Sequence, residues 1–131
     1  MVDYKYARVK DVMSTPVHYI DAMDTVQEAL NKMKSAGVKK GIILDQGKVI
    51  GHTDSWKLRL TDMGKKVKDA IHEKENIYYE VKMVSQEKPL NEIVDELRNE
   101  SIKVVTDEKG NNIGVITPLD LLKVRTMGLR L

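Results

Sequence analysis

The sequence predicts an α/β fold in which one small βαββα unit occurs twice, and two repeated patterns predict it. The apolar set Val26, Ala29, Leu30 and Met33 recurs 64 residues later as Leu90, Ile93, Val94 and Leu97. Both sets have the i, i+3, i+4, i+7 spacing of one face of an amphipathic helix. After each helix comes an apolar run, a polar turn and a second apolar run: Gly41 to Gly51 with Asp45-Gln46-Gly47 between, then Lys103 to Gly114 with Asp107 to Asn112 between. β-Branched runs joined by Asp, Gly and Asn read as hairpins.

The remaining elements follow in order. Val9-Lys10-Asp11-Val12-Met13 recurs as Val67-Lys68-Asp69-Ala70-Ile71, a leading helical turn. A strand precedes each amphipathic helix, Val17 to Ile20 in the first copy and, longer, Ile77 to Val84 in the second. Asp24 or Thr25 can cap the first helix, Gly37 can end it in a left-handed turn, and Pro89 fits the first turn of the second helix. A further helix follows each hairpin, over Ser55 to Ile71 and over Pro118 to Thr126. The expected organisation is an extension over 1–8, a first copy over 9–64, a second over 65–126 and a tail over 127–131. About six residues around Asn76 to Val81 are extra in the second copy. Each half has too little core to stand comfortably alone, so the copies are expected to pack sheet to sheet.

Composition bounds the function. The chain has 131 residues, 41% hydrophobic and 32% charged, which suits a globular domain. With 22 basic and 20 acidic side chains its net charge is only +2, so no strong field argues for nucleic acid, and a nucleic-acid partner is not expected. There is no Cys, which excludes disulfides, thiolate metal sites and a cysteine nucleophile. The start, MVDYKYARVK, has no apolar run behind it, and no stretch approaches a membrane span. The expected location is cytoplasmic, with no membrane partner.

The sequence most capable of chemistry is Gly114-Val115-Ile116-Thr117-Pro118-Leu119-Asp120. It leads a strand into a helix, where backbone N–H groups lack partners and the dipole is positive, so a phosphate is welcome. Thr117 adds a hydroxyl, Pro118 is preset for the first helical position, and Asp120 can accept two hydrogen bonds from a ribose diol. Gly114 leaves room for a ligand. Thr-x-x-Asp at a helix start is equally the pattern of a capping box.

His18, His52 and His72 are scattered without metal-ligand spacing, so no metal is expected. No nucleophile elbow or phosphate loop is present, so no enzyme activity is expected. Trp56 near its helix start is expected to pack on a neighbour, and of the adjacent Tyr78 and Tyr79 at least one is expected exposed. The basic runs Lys65-Lys66-Val67-Lys68 and Lys123 to Leu131 read as solvated helix faces.

Val9 to Ser14, Thr25 to Leu30, Val104 to Asp107 and the turn Gly114 to Asp120, in this order and spacing, resemble the CBS domain family, named for cystathionine β-synthase. The resemblance runs from about Val9 to Lys123. It implies two CBS repeats related by a pseudo-twofold axis with clefts between them, and a regulatory homodimer that binds an adenosine-containing ligand, AMP, ADP, ATP or S-adenosylmethionine, and signals to a regulated protein. By the same resemblance Thr117 contacts phosphate, Asp120 contacts ribose, and Lys82, Met83 and Val84 lie against the adenine. The first copy departs from the pattern. Aligning Gly51 with Gly114 puts Asp54 where the hydroxyl should be and Lys57 where the carboxylate should be. A carboxylate repels phosphate and an ammonium cannot accept from ribose. One competent and one degenerate site are expected, with Asp54 serving instead as a helix cap. The rival readings are a structural or interaction dimer that binds no nucleotide and, behind it, a nucleic-acid-associated module that uses the basic C-terminal run.

Overall fold

Two three-stranded sheets, each built from one hairpin and one parallel strand, organise the computed structural model, which describes residues 6–73 and 77–126. The expected tail 127–131, most of the extension 1–8, and the basic run beyond Thr126 lie outside the described residues. The fold is the α/β class the sequence predicts.

The chain forms two compact units that cut across the sequence repeats: His18–Val81, the central unit, and the segment up to Val17 together with Lys82 onward, the C-terminal unit. In the central unit β1 (Tyr19–Asp21) pairs parallel with β2 (Lys40–Asp45), and β2 pairs antiparallel with β3 (Lys48–Asp54). Gln46 and Gly47 both have positive φ, 51° and 78°, as a two-residue hairpin turn requires. Between β1 and β2 runs α2 (Val26–Ala36). Thr25 caps it through its hydroxyl, which accepts from Glu28 N at 3.1 Å, while Glu28 accepts from Thr25 N at 3.2 Å. Gly37, at φ 69°, ends it as predicted. Val26, Ala29 and Met33 are buried with Ile20, Ile43 and Leu58, so the predicted apolar face is the core face.

The helix predicted over Ser55 to Ile71 is broken. It forms as α3 (Ser55–Leu58) and α4 (Val67–Glu73). Thr61 donates its hydroxyl to Leu58 O at 2.7 Å and the Asp62 carboxylate accepts from Gly64 N at 2.9 Å, local bonds that compete with helix continuation. Val26 N then donates to Lys65 O at 2.8 Å, drawing the connection against the start of α2.

The C-terminal unit repeats the plan with β4 (Lys82–Ser85) parallel to β5 (Lys103–Thr106) and β5 antiparallel to β6 (Asn112–Ile116). Both hairpins carry a register irregularity at the same place, Ile43/Leu44 and Val105/Thr106. The second amphipathic segment opens as a 3-10 turn, Leu90–Glu92, with Pro89 as its N-cap, and continues as α5 (Val94–Glu100). Leu90, Ile93 and Leu97 are buried against Val84, Val105 and Ile116. The leading strand is shorter than predicted: only Lys82 to Ser85 is a strand, and Tyr79 upstream makes an isolated bridge to His52. After β6 comes a 3-10 turn, Pro118–Leu122, then α6 (Lys123–Thr126).

Each leading helical turn belongs to the unit of the other repeat. α1 (Val9–Val12) buries Val9 and Val12 in the C-terminal unit, where Val9 N donates to Lys88 O and Leu90 N to Ala7 O. α4 buries Val67 and Ala70 in the central unit, where Val67 N donates to Asp24 O. Because the Thr25 cap satisfies α2's first turn, Thr25→Ala is expected to lower stability by about 1 kcal/mol, read by denaturant unfolding.

Candidate functional site

β6 ends at Ile116, and its neighbours across the sheet are Lys103 on β5 and then Lys82 on β4. The turn at Thr117 and the start of β4 thus share one end of one sheet, two strand spacings apart, about 10 Å. Lys82, Met83, Val84, Gly114, Thr117, Pro118 and Asp120, the residues singled out in the sequence, all lie in the C-terminal unit. Val84 is packed into the core, Met83 is 46% exposed, and Lys82 pairs with Glu100 at 3.3 Å. β4 is an edge strand of its sheet.

Thr117 is extended (φ −129°, ψ 167°) and is the N-cap of the 3-10 turn, with Pro118 at its first position. The carboxylate of Asp120 is turned back into the protein and is 4% exposed. Its Oδ2 accepts from Thr117 N at 2.9 Å, and its Oδ1 accepts from the Ser14 hydroxyl at 2.7 Å and pairs with Lys123 Nζ at 2.7 Å. Lys123 Nζ also donates to Val12 O at 2.9 Å and to Ser14 Oγ at 3.1 Å. The basic residue read as part of a solvated helix end is therefore built into the turn. Sequence reasoning missed Ser14 and Lys123 as partners of Asp120. The i, i+3 spacing of Asp120 and Lys123 was the available signal.

Gly114 does not open space for a ligand as expected. A Cβ there would lie 2.7 Å from Ser14 O and 3.2 Å from Met13 Sδ, because Ser14 and Val115 exchange two backbone hydrogen bonds across it. The central unit has the same construction. Gly51 is where Tyr79 O approaches, 2.5 Å from a Cβ built there, with the Tyr78 ring beside it, and Tyr79 and His52 exchange the two backbone bonds. Tyr78 and Tyr79 thus take the places of Met13 and Ser14.

The degenerate turn follows suit. Asp54 sits at the N-cap of α3, but its side chain makes no cap bond; it pairs with Lys40 at 2.9 Å. The neighbouring cation wins the carboxylate, which corrects the expected capping role. Lys57, aligned with Asp120, places its ammonium 3.9 Å over the Tyr79 ring and 5.2 Å from the Trp56 ring. Trp56 was expected to pack and is instead 58% exposed, because Leu58 fills the core from this short helix. Thr53 is buried and donates its hydroxyl to Ile77 O.

Two buried ionisable groups flank these turns. His52 stacks on Tyr79 at 5.3 Å, and burial, reinforced by Lys40 and Lys57 and opposed by Asp54, lowers its pKa from 6.5 to about 4. Lys103 is buried at the end of β5, held by Glu96 at 2.9 Å and Glu100 at 2.5 Å. Burial works against its charge, but the bonds to Glu100 and Glu96 outweigh burial and hold its pKa above the ordinary value. The Lys103 hydrogen bond in turn lowers the pKa of Glu100.

The CBS domain model matches residues 9–52 and again 74–126, and the chain belongs to the CBS domain family. Its fold is that of CBS domain pairs. It is similar to the CBS domain of a bacterial CNNM/CorC family Mg2+ transporter in complex with ATP, with 16% identity over 97% of this chain and 92% of that one and a TM-score of 0.77. It is also similar to the CBS domain pair of protein MJ0100 in complex with 5′-methylthioadenosine and S-adenosyl-L-methionine (21% identity, 94% and 98% covered, TM-score 0.72). A third is a CBS domain pair/ACT domain protein of Thermotoga maritima (19% identity, 95% and 100% covered, TM-score 0.68). At these identities the likeness is one of fold. No curated protein matches the chain. Among the described residues no helix is long and apolar enough to cross a membrane.

Two expectations follow. Gly51→Ala and Gly114→Ala force backbone apart and are expected to cost about 2 kcal/mol each or more, measured by chemical denaturation. His52 is held neutral, so the unfolded chain binds its proton first. Stability from this group is full above about pH 6.5 and is lost as pH falls towards about 4, up to about 3 kcal/mol. His52→Gln is expected to flatten that slope in melts across the window.

Proposed function

We propose that the chain is a ligand-sensing regulatory module, not an enzyme, that takes an adenosine-containing ligand on the Thr117 end of the C-terminal sheet. The ligand class is AMP, ADP, ATP or S-adenosylmethionine, and its occupancy is passed to a regulated protein. One observation carries the reading: Thr117 and Asp120 stand at the same end of one sheet as the edge strand β4, a spacing of about 10 Å that a nucleotide can bridge from phosphate to base. Family membership and the adenosine ligands in the two similar structures named above support the ligand class.

In this reading the ribose diol takes over Asp120 Oδ1 from Ser14 and Lys123, and the Lys123 ammonium, 2.7 Å from that oxygen, turns to the ligand's anionic group. Phosphate lies beside Thr117, and the base against the backbone of Lys82 to Val84. The site is single: in the other repeat Asp54 is paired with Lys40 and Lys57 is held over Tyr79. The module acts as a homodimer, which sedimentation equilibrium tests directly.

A second reading is favoured by the burial of Asp120, whose oxygens already have internal partners. There the turn is only a cap, and the chain is a structural interaction module without nucleotide. Thermal shift separates the two, because a ligand of the native state must raise the melting temperature. We expect at least one of AMP, ADP, ATP and S-adenosylmethionine to do so. Asp120→Asn, which keeps an acceptor for Thr117 N, is expected to weaken that ligand about tenfold or more by calorimetry. Unchanged affinity in a folded Asp120→Asn variant, or no shift with any of the four, rejects the ligand-sensing reading.

A further inference from the structure

Asp120 divides its two oxygens between two tasks. Oδ2 accepts from Thr117 N at 2.9 Å and so closes the turn itself. Oδ1 serves the crossing segment: it accepts from the Ser14 hydroxyl at 2.7 Å and pairs with Lys123 Nζ, which also donates to Ser14 Oγ at 3.1 Å and to Val12 O at 2.9 Å. One oxygen thus suffices for the cap, and the other ties down a residue 106 positions away in the chain. Upstream, the same segment is anchored independently. Val9 and Val12 are buried, Val9 N and Lys10 N donate to Lys88 O and Gln86 O, both at 3.0 Å, and the Arg8 guanidinium donates to Glu87 O at 2.6 Å. Downstream, Thr15 and Pro16 are exposed. Between the two, Ser14 is held by its side-chain bonds to Asp120 and Lys123 and by the backbone pair with Val115, at 2.8 and 2.9 Å.

We propose that Ser14 is a built-in competitor: its hydroxyl holds Asp120 Oδ1 against the ligand, and a ribose that displaces it loosens Met13 to Thr15 as the output of binding. The inference rests on the ligand-sensing reading and names how that same site is regulated. A serine hydroxyl on a carboxylate is a neutral O–H donor, the chemistry that a ribose hydroxyl brings to the same oxygen. In the central unit the matching contact is the Lys57 ammonium over the Tyr79 ring, which no ligand hydroxyl can replace. Displacement at Asp120 undoes the Ser14 to Asp120, Lys123 to Ser14 and Lys123 to Val12 bonds together, because Lys123 turns with the ligand's anion. Ala7, Val9 and Val12 stay in the core, so the change is confined to the residues that lead from them to Val17, where this unit's first segment ends. Linkage makes the effect reciprocal: what the segment gains from Asp120 is withheld from the ligand. Removing the Ser14 hydroxyl therefore tightens binding, whereas a Ser14 that touched the ligand would weaken it on removal, and one that only filled space would leave it unchanged.

The test uses the full chain and whichever of AMP, ADP, ATP and S-adenosylmethionine raises its melting temperature. Calorimetry is expected to show Ser14→Ala binding that probe about three- to tenfold more tightly than the parent chain. Amide hydrogen exchange gives the second readout, because Ser14 N and Val115 N each donate to the other's carbonyl. On binding, these two amides are expected to exchange about tenfold faster, while those of Val104 and Val105 in the middle strand hold or slow. Without ligand, Ser14→Ala is expected to speed exchange at positions 14 and 115 and to spare the same two controls. Equal or weaker affinity in Ser14→Ala, slower or unchanged exchange at positions 14 and 115 on binding, or unchanged exchange there in the ligand-free variant overturns the inference and leaves the ligand-sensing reading standing. No rise in melting temperature with any of the four probes removes that reading and the inference together.

Discussion

Much of this structure depends on how closely a crossing segment approaches the last strand of each sheet. Ser14 and Val115 exchange two backbone hydrogen bonds, as do Tyr79 and His52, and in each case the crossing carbonyl passes over a glycine where a Cβ would collide. A glycine is required there by space, since neither Gly51 nor Gly114 has a positive φ. The approach fixes a leading turn of one repeat onto the sheet of the other, with Val9 and Val12 buried in one unit and Val67, Ala70 and Ile77 in the other. Repeats of sequence and units of packing therefore differ, and the exchange lets each half-sized sheet complete a core that it lacks alone.

The same approach decides what the turn after the strand can do. Position 120 reaches the crossing segment through an Asp120 to Ser14 hydrogen bond; position 57 reaches it through a Lys57 to Tyr79 cation–π contact. Charge has changed sign at the turn, and the crossing residue has changed from hydroxyl to aromatic ring to match. The central turn is thus a coherent alternative contact, with Asp54 neutralised by Lys40. Its conversion into a nucleotide site would need several coupled changes.

The repeat was legible because its signal is periodic and local: Val26, Ala29 and Met33, and Leu90, Ile93 and Leu97, are buried as their spacing requires. The Thr25 cap and Gly37 stop were legible for the same reason. What the sequence hid was decided by contacts distant in the chain. Ser14 is 106 residues from Asp120, and no spacing rule links them. Lys103 reads as the polar start of a strand, yet it is buried by its fold position and kept charged by Glu96 and Glu100. The break after Leu58 lay in the side chains of Thr61 and Asp62 bonding to nearby backbone, Leu58 O and Gly64 N, a competition that apolar periodicity does not register. Trp56 failed as a packing residue because a helix of four residues presents only one side chain, Leu58, fully to the core.

The internal bonds of Asp120 also constrain the proposed ligand. Its Oδ1 carries a charge-assisted contact with Lys123 and a hydroxyl bond from Ser14, and a neutral ribose diol offers in exchange two uncharged donors. That exchange alone is unfavourable, so binding must draw its free energy from other parts of the ligand. Under the proposed function an anionic group that takes over the Lys123 contact would restore the charge pairing, and a base would add contact with the edge strand beside Met83, which is 46% exposed. Ligands with an anion at one end and a planar base at the other satisfy both terms, whereas a bare nucleoside satisfies one. The shift such a ligand could impose is bounded by the difference between its affinity for the rearranged turn and for the self-satisfied one, so under the proposed function the internal bonds of Asp120 would set the threshold for sensing.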